Sequence, residues 1–441
     1  MANPLKDVIN IRKDELPLAL LMYGYFFLVI TSFWILKPLK KSLFITFYDQ
    51  SGFNLMDWTL RASQAELLAK ILNMFVAFVA VVIFAFLARK FKRQQLTIIF
   101  SLFFMVSYAV YSLSINNPGG LTVWSFYLFG DLFSTLMVAT FFVFLNDSVT
   151  PNAAKRLYGL IGLGGVTGGV FGTMVLRVWI DNLSTAQWLW VCFGIAALIS
   201  FLAVMAGRLV DGGSLSARPD QSPLEPPPED ISSTGNPALE GAKLVFGSRY
   251  LLSIVGIVGL YEIVSTIMDF QFTETIAHYL DGADIGRQFS TVYTLTNIVS
   301  LIVQLFFTSF IMTRFGLKVA LLVLPAMIVL GSGAFIIVPA LWVGSLLNTA
   351  DNAFSYSINQ SAKETLYVPT SREEKYNAKA FIDMFVQRFA KALAVGISLL
   401  ITSMFTDFSS LRWLSLITLL FVAVWIIAVR YAGDRFKVIS E

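Results

Sequence analysis

The sequence predicts an all-α integral membrane protein with twelve transmembrane helices in two pseudo-symmetric six-helix bundles. Hydrophobic residues make up 56% of the 441 residues and charged residues only 14%, whereas soluble domains average about 45–50% apolar and about 25% charged residues. The apolar residues form long runs, and a polar stretch divides these runs into two sets of six. The composition and the runs together exclude a soluble enzyme with a single polar-coated core.

Each apolar run is long enough to cross a bilayer, which requires about 20 residues in a helix. The runs lack the short alternating pattern of membrane barrel strands, so we interpret them as helices. The predicted spans lie near residues 17–47, 66–88, 95–115, 121–145, 158–180, 185–206, 251–273, 288–312, 318–338, 340–362, 377–405 and 411–431.

A change in composition predicts the domain boundaries. The stretch 207–248 contains a Gly-Gly pair, three consecutive prolines and an acidic pair, with few large apolar residues before its end. Such a composition is typical of a flexible linker. We therefore predict an N-terminal six-helix half at 1–206, a flexible cytoplasmic linker at 207–248 and a C-terminal six-helix half at 249–441.

The distribution of basic residues predicts the orientation in the membrane, because cytoplasmic loops are enriched in Lys and Arg. The loops after the second, fourth and eighth spans and the C-terminus are basic, and they include Arg89, Lys155, Arg314 and Lys437. The opposite loops are uncharged or mainly acidic. We therefore expect both termini and the linker to face the cytoplasm, in a bacterial inner membrane.

Short matches between the two halves predict an internal duplication. Pro151 and Pro369 are 218 positions apart, and so are Tyr158 and Tyr376, which follow the fourth and tenth spans. A parallel repeat of six spans is the plan of major facilitator transporters, in which the substrate binds near the bilayer midplane between the halves. This plan predicts transport by alternating access.

The first span contains the densest group of basic residues. Lys37, Lys40 and Lys41 are spaced three and four positions apart, which places them along one helical face. A charged residue at membrane depth costs about 2.5–3.5 kcal/mol on insertion scales. The alternative is that these lysines extend to the headgroup layer, but the basic-loop rule places this end of the span outside the cell. We therefore favour an anion-binding role.

The eleventh span contains a second polar stripe. Lys379, Asp383, Gln387 and Lys391 follow at steps of four, and Arg388 is adjacent. Lys379 and Asp383 are alternatively an ordinary intrahelical ion pair. Lys391 has no acidic residue three or four positions away, and we expect it to lie deeper and to be the better ligand candidate.

The carboxylates considered as partners for these lysines are Asp131 in the fourth span, Glu262 and Asp269 in the seventh and Asp351 in the tenth. We expect each to neutralise a lysine of the facing half when no substrate is bound. A buried carboxylate is alternatively a proton carrier, and the sequence leaves this choice open.

The glycines of the fifth span predict close helix packing. Gly164, Gly168 and Gly172 have the spacing that allows two helices to approach closely in a membrane. A phosphate-binding loop is the less favoured interpretation, since no Lys-Ser or Lys-Thr pair follows these glycines.

The scarcity of metal ligands limits the chemistry. One Cys and one His exclude an internal disulfide, a Cys-ligated zinc site, an iron–sulfur cluster and a multi-histidine site within one chain. We expect no cofactor, no metal and no enzymatic activity. The net charge of +4 is too small to indicate nucleic-acid binding, and we expect a monomer.

Motifs in the first half resemble those of the nucleotide transporter family, the ATP/ADP translocases of plastids and obligate intracellular bacteria. The segment 35–43 is similar to the family's Leu-Arg-x-x-Lys-Asp-x-Leu, so that Lys37 falls on its basic position and Lys40 on its essential Lys. Asp131 falls on a functional Glu of the fourth span. The run 154–164 is similar to the family's segment after that span.

Motifs in the second half extend the resemblance. The segment 363–369 resembles Lys-Glu-x-x-Tyr-x-Pro, and the segment 379–383 resembles Lys-Ala-x-Ile-Asp. The family has a Gly-Lys pair further along, where this chain has Ala390 and Lys391. In the seventh span, Gln271 stands in place of a family Lys.

The resemblance and the intramembrane charges together predict an alternating-access nucleotide transporter of the ATP/ADP exchange type. The expected phosphate-binding residues are Lys37, Lys40, Lys41, Lys379, Arg388 and Lys391. The expected gating or coupling residues are Asp131, Glu262, Asp269, Gln271, Asp351 and Asp383. The alternatives are a proton-coupled transporter of another organic anion and a membrane sensor or scaffold without transport. The expected partners are a small anionic substrate and the lipid bilayer.

Overall fold

The computed structural model describes residues 12, 15–149, 151–211, 237–371, 374 and 378–440. The described residues are predominantly helical, with one antiparallel two-stranded hairpin formed by β1 (Phe53–Leu55) and β2 (Trp58–Leu60). Met56, at the tip of the hairpin, has a φ of 54°. The all-α membrane fold predicted from the sequence is confirmed.

Six long helices precede the linker, and they match the first six predicted spans. They are α1 (Leu16–Tyr48), α2 (Ala62–Lys90), α3 (Arg93–Ser114), α4 (Gly120–Asn146), α5 (Pro151–Trp179) and α6 (Thr185–Asp211).

The helices after the linker are more often interrupted. They are α7 (Pro237–Gly247), α8 (Arg249–Tyr279), α9 (Ala283–Ile302), α10 (Ser309–Arg314), α11 (Gly316–Ile337), α12 (Leu341–Phe354), α13 (Gln360–Thr365), α14 (Lys379–Phe381), α15 (Gln387–Met404) and α16 (Leu411–Ser440). A short 3₁₀ turn at Phe408–Ser410 precedes α16.

π-helical turns interrupt this second set, and three of them lie wholly within the described residues. They lie at Val303–Thr308, Ser355–Asn359 and Ile382–Val386, within the predicted eighth, tenth and eleventh spans. Ten helices of the described part are long and apolar enough to cross a membrane. The predicted tenth and eleventh spans are instead built from shorter helices joined by π turns.

The chain folds into two compact units whose limits differ from the sequence halves. Unit 1 comprises residues 1–47, 72–228 and 282–294, and unit 2 comprises 48–71, 229–281 and 295–441. The start of α2 therefore packs in unit 2, and the start of α9 packs in unit 1.

The predicted linker is helical at both ends, since α6 extends to Asp211 and α7 begins at Pro237. The stretch 212–236 between them and Tyr376 of the predicted repeat lie outside the described residues. The predicted domain division, including the flexibility of the linker, stays a prediction.

Close packing of α5 against α1 confirms the interpretation of the glycines. A Cβ atom on Gly168 would lie 2.4 Å from the carbonyl oxygen of Phe27, and one on Gly164 would lie 2.6 Å from that of Tyr23. The Thr31 hydroxyl donates a hydrogen bond to the Gly168 carbonyl at 3.2 Å. Because the two backbones nearly touch, α5 fixes the position of the lysine-bearing helix.

Candidate functional site

The centre of the candidate site in unit 1 is an ion pair between Lys40 of α1 and Asp131 of α4. The Lys40 side chain is only 4% exposed, and that of Asp131 is 28% exposed. Asn73 of α2 donates a hydrogen bond to the second oxygen of Asp131 at 2.9 Å. The sequence predicted both charges but expected Asp131 to pair with the other half, whereas it pairs with a lysine of its own half.

Residues on α4 line the space that the Lys40 side chain occupies. A Cβ atom on Gly130 would lie 2.7 Å from Cδ of Lys40, so that the glycine makes room for the lysine stem. The Lys40 ammonium lies 4.4 Å from the centre of the Tyr127 ring. Tyr127 is buried; an aromatic face at this distance attracts an ammonium group.

Aromatic rings also surround the two neighbouring lysines. The Lys37 ammonium lies 4.7 Å from the Trp34 ring centre and 4.8 Å from that of Tyr293. The Lys41 ammonium lies 5.3 Å from the centre of the Phe289 ring. Lys41 is buried and Lys37 is half-buried. The three predicted phosphate-binding residues of the first span are thus brought together in one unit.

A second charged cluster lies in unit 2 around Asp269 of α8. The Lys70 ammonium contacts Asp269 at 2.5 Å, and Glu66 lies 3.7 Å from the same ammonium. Asn348 of α12 donates to the other oxygen of Asp269 at 3.4 Å. The sequence identified Asp269, whereas Lys70, Glu66 and Asn348 were missed.

An ion pair between Arg61 and Glu274 was also missed. The Arg61 guanidinium contacts Glu274 at 2.6 Å, and the Ser63 hydroxyl donates to the second oxygen of the same carboxylate. Glu274 is buried, although the sequence interpretation assigned it to a loop. Its position in α8, which continues to Tyr279, explains the difference.

Lys391 of α15 pairs with Glu262 of α8 at 3.4 Å. The Lys391 side chain is 48% exposed, which differs from the deeper position that the sequence suggested. Spacing along one helix could not show this pair, because its two members lie on different helices. The structure does join two of the predicted site residues.

The remaining residues of the polar stripe make separate contacts. Lys379 pairs with Glu364 of α13 at 2.5 Å, which is a different carboxylate from the Asp383 considered as its partner. Asp383 accepts a hydrogen bond from Gln387 at 3.2 Å. Arg388 is half-buried.

Asp351 and Gln271 are both deeply buried in unit 2. Asp351 accepts a hydrogen bond from the Ser265 hydroxyl at 2.6 Å, which links α12 to α8. The Gln271 amide donates to the Leu411 carbonyl and to the Ser415 hydroxyl, each at 2.9 Å. Gln271 therefore holds α8 against α16, which is a packing role.

The fold finds a counterpart in known transporter families. The model of the Major Facilitator Superfamily matches residues 26–372, which is most of the chain. The chain belongs to this superfamily. The model described as the TLC ATP/ADP transporter matches residues 333–436. The resemblance to ATP/ADP translocases drawn from the motifs is thereby confirmed, and membership of a transporter superfamily indicates a non-enzymatic protein.

Curated relatives of this chain include three carriers from bacteria and plants. ADP,ATP carrier protein 2 of Chlamydia trachomatis is 24% identical over 74% of this chain and 70% of its own length. ADP,ATP carrier protein 1 of Chlamydia pneumoniae is 24% identical over 69% of this chain and 65% of its own length. The chloroplastic ADP,ATP carrier protein 1 of Arabidopsis thaliana is 22% identical over 72% of this chain, and the match spans 55% of that carrier.

Solved structures support the fold. The nucleoside transporter NupG superimposes with a TM-score of 0.60 at 13% identity, covering 96% of this chain and 99% of that one. A bacterial homolog of the human lysosomal transporter Spinster superimposes with a TM-score of 0.57 at 12% identity, covering 96% and 98% of the two chains. At these identities the likeness concerns the fold alone.

Proposed function

We propose that this protein transports nucleotides across a membrane by alternating access, in exchange of the ATP/ADP type. The observation that carries the proposal is the buried Lys40, paired with Asp131 and flanked by Lys37 and Lys41. Lysine at membrane depth is costly unless it has a functional or pairing role. The names of the curated relatives support a nucleotide as the substrate.

The geometry suggests how an anion engages the site. A phosphate group offers several charged oxygens to an ammonium, and such charge-assisted hydrogen bonds are stronger than neutral ones. A nucleotide phosphate therefore competes with Asp131 for Lys40. In unit 2 the pairs of Lys70 with Asp269 and of Lys391 with Glu262 are the corresponding gating contacts.

The membrane placement belongs to the same proposal. The ten candidate spans support an integral membrane protein. We propose a bacterial inner membrane, with both termini and the linker in the cytoplasm, and a monomer as the transporting form.

The test is uptake of labelled ATP into proteoliposomes, with and without ADP inside. We expect internal ADP to stimulate uptake and Lys40→Ala and Lys391→Ala to reduce it strongly. Lys318→Ala is the matched control, since Lys318 forms an exposed pair with Asp434 and its removal makes the same change of charge. Absence of nucleotide uptake by the folded wild-type protein would contradict the proposal.

A proton-coupled transporter of another organic anion is the second candidate. The buried carboxylate of Asp351, 1% exposed and hydrogen-bonded to Ser265, favours it. An imposed pH gradient in liposomes without internal ADP separates the two functions. Uptake driven by the gradient and abolished in Asp351→Asn would support proton coupling.

A further inference from the structure

The start of α9 lies against the lysine-bearing part of α1 within unit 1. Phe289 and Tyr293 are one helical turn apart, which places them on the same face of α9. Their rings contact the ammonium groups of Lys41 and Lys37, respectively. Both rings are almost completely buried, at 0% and 1% exposure.

The Lys37 ammonium lies beside two rings that contact each other edge to face. The Trp34 and Tyr293 rings lie with their centres 5.7 Å apart and their planes at 63°. The ammonium is within 5 Å of both ring centres, at 4.7 Å and 4.8 Å. Trp34 is also buried. Such distances are well inside the range of about 6 Å over which a ring face attracts a cation.

Contacts apart from the lysines fix the start of α9 in place. Arg287 pairs with Asp181 at 2.6 Å, and Arg177 donates to the Thr291 hydroxyl at 2.6 Å. A Cβ atom on Gly286 would lie 3.0 Å from the Ser42 hydroxyl, so the glycine allows a close approach to α1. The rings of Phe289 and Tyr293 are therefore positioned by contacts of α9 that do not involve the lysines.

We infer that Trp34, Phe289 and Tyr293 are positioning residues that hold the ammonium groups of Lys37 and Lys41 ready for the phosphate groups of the substrate; the inference rests on the proposed function. A ring face stabilises an ammonium without adding a negative charge that an incoming anion must displace. An ammonium is a compact charge with three donors, which suits the oxygens of a phosphate group.

The sharpest test varies the ring electronics and keeps the ring itself. Tyr293→Phe is compared with variants that carry a phenylalanine bearing one, three or five ring fluorines at position 293. Fluorines weaken the negative ring face stepwise, so the ATP concentration for half-maximal uptake should rise stepwise, by about tenfold over the series. Tyr293→Phe itself should remain close to the wild-type protein.

The same series in the Lys37→Met background is the matched control. Without the Lys37 cation, the number of ring fluorines should no longer affect residual ATP uptake. It should also no longer affect the thermal midpoint of the purified protein measured without nucleotide. The positioning role alone would be overturned in either of two cases, provided that the wild-type protein transports ATP. In the first, the half-maximal ATP concentration does not change across the fluorine series; in the second, it changes equally with and without Lys37. A wild type without ATP uptake would instead remove the proposed function and this inference with it.

Discussion

The two units hold their intramembrane cations in different ways. In unit 1, Lys37, Lys40 and Lys41 come from one stretch of α1, and each ammonium lies against an aromatic ring. In unit 2, Lys70 and Lys391 come from separate helices, and each contacts a carboxylate of α8. The unit 1 site is thus a cluster of lysines on one helix in which Lys40 also pairs with Asp131, whereas the unit 2 site consists of ion pairs whose lysines lie on separate helices.

The difference indicates a division of roles. The three lysines of unit 1 lie on one stretch of helix beside aromatic rings, and Asp131 pairs with Lys40, so the unit 1 cluster concentrates positive charge and suits the holding of an anion. A carboxylate and a lysine on different helices form a contact that separates when the helices move, so the unit 2 pairs suit gating. Four predictions test this contrast, from the largest expected effect to the smallest.

Asp131→Ala should destabilise the protein more than Asp269→Ala. Removal of one partner from a buried pair costs about 3–5 kcal/mol, and Lys40 is 4% exposed. The Lys70 side chain is 24% exposed, and Glu66 remains near it when Asp269 is removed. We therefore expect Asp269→Ala to lower the free energy of unfolding by about 1 kcal/mol. Thermal midpoints in detergent measure both variants. Equal decreases would remove the distinction between the two units.

Gly168→Ala should lower the thermal midpoint more than Gly331→Ala. The new methyl group at position 168 meets the Phe27 carbonyl oxygen at 2.4 Å, and a backbone cannot yield readily. At position 331 it meets Cδ1 of Leu347 at 2.5 Å, the end of a flexible side chain. Overpacking costs about 1–3 kcal/mol, and we expect the upper part of that range for Gly168. A larger decrease for Gly331 would contradict the expectation that the backbone contact between α5 and α1 yields less than a side-chain contact.

Gly130→Ala should weaken nucleotide binding with little effect on folding. The added Cβ displaces the stem of Lys40, and a cost of about 1 kcal/mol corresponds to roughly a fivefold rise in KM. Gly162→Ala is the control, because a Cβ atom there meets nothing within 4 Å. An unchanged KM in Gly130→Ala, measured by ATP uptake, would show that the exact position of Lys40 is unimportant.

Glu364→Gln should have the smallest effect. Its pair with Lys379 has side chains that are 43% and 32% exposed, and ion pairs of this kind contribute about 0–1 kcal/mol. We expect the thermal midpoint and ATP uptake to stay close to those of the wild type. A large loss of uptake at unchanged stability would give Lys379 a direct role in transport and would extend the binding site into unit 2.

The sequence predicted the features that depend on local pattern. Apolar runs located the helices, and the spacing of Gly164 and Gly168 predicted the close approach that α5 makes to α1. The charges of Lys40 and Asp131 were identified because they interrupt apolar runs. Each of these signals is contained in one segment of the chain.

The features that the sequence did not show depend on contacts between distant segments. The hydropathy of the second span begins at residue 66, so Arg61 was left outside it, and the seventh span was ended at 273, one residue before Glu274. Hydropathy falls where charges appear, although α8 continues to Tyr279 and buries Glu274, which pairs with the more exposed Arg61. The rings of Phe289 and Tyr293 likewise resembled ordinary core residues until their contacts with Lys41 and Lys37 were seen.

The π turn at Ile382–Val386 has a consequence for the evolution of the eleventh span. A π turn carries one residue more than an α turn, and one residue in an α-helix corresponds to a rotation of about 100°. A single-residue deletion here would restore regular α-helical winding. Because the π turn already accommodates the extra residue, Lys379 and Lys391 would keep nearly the same relative orientation. The π turn therefore allows the length of this span to change by one codon while the charges on either side of the turn keep their faces.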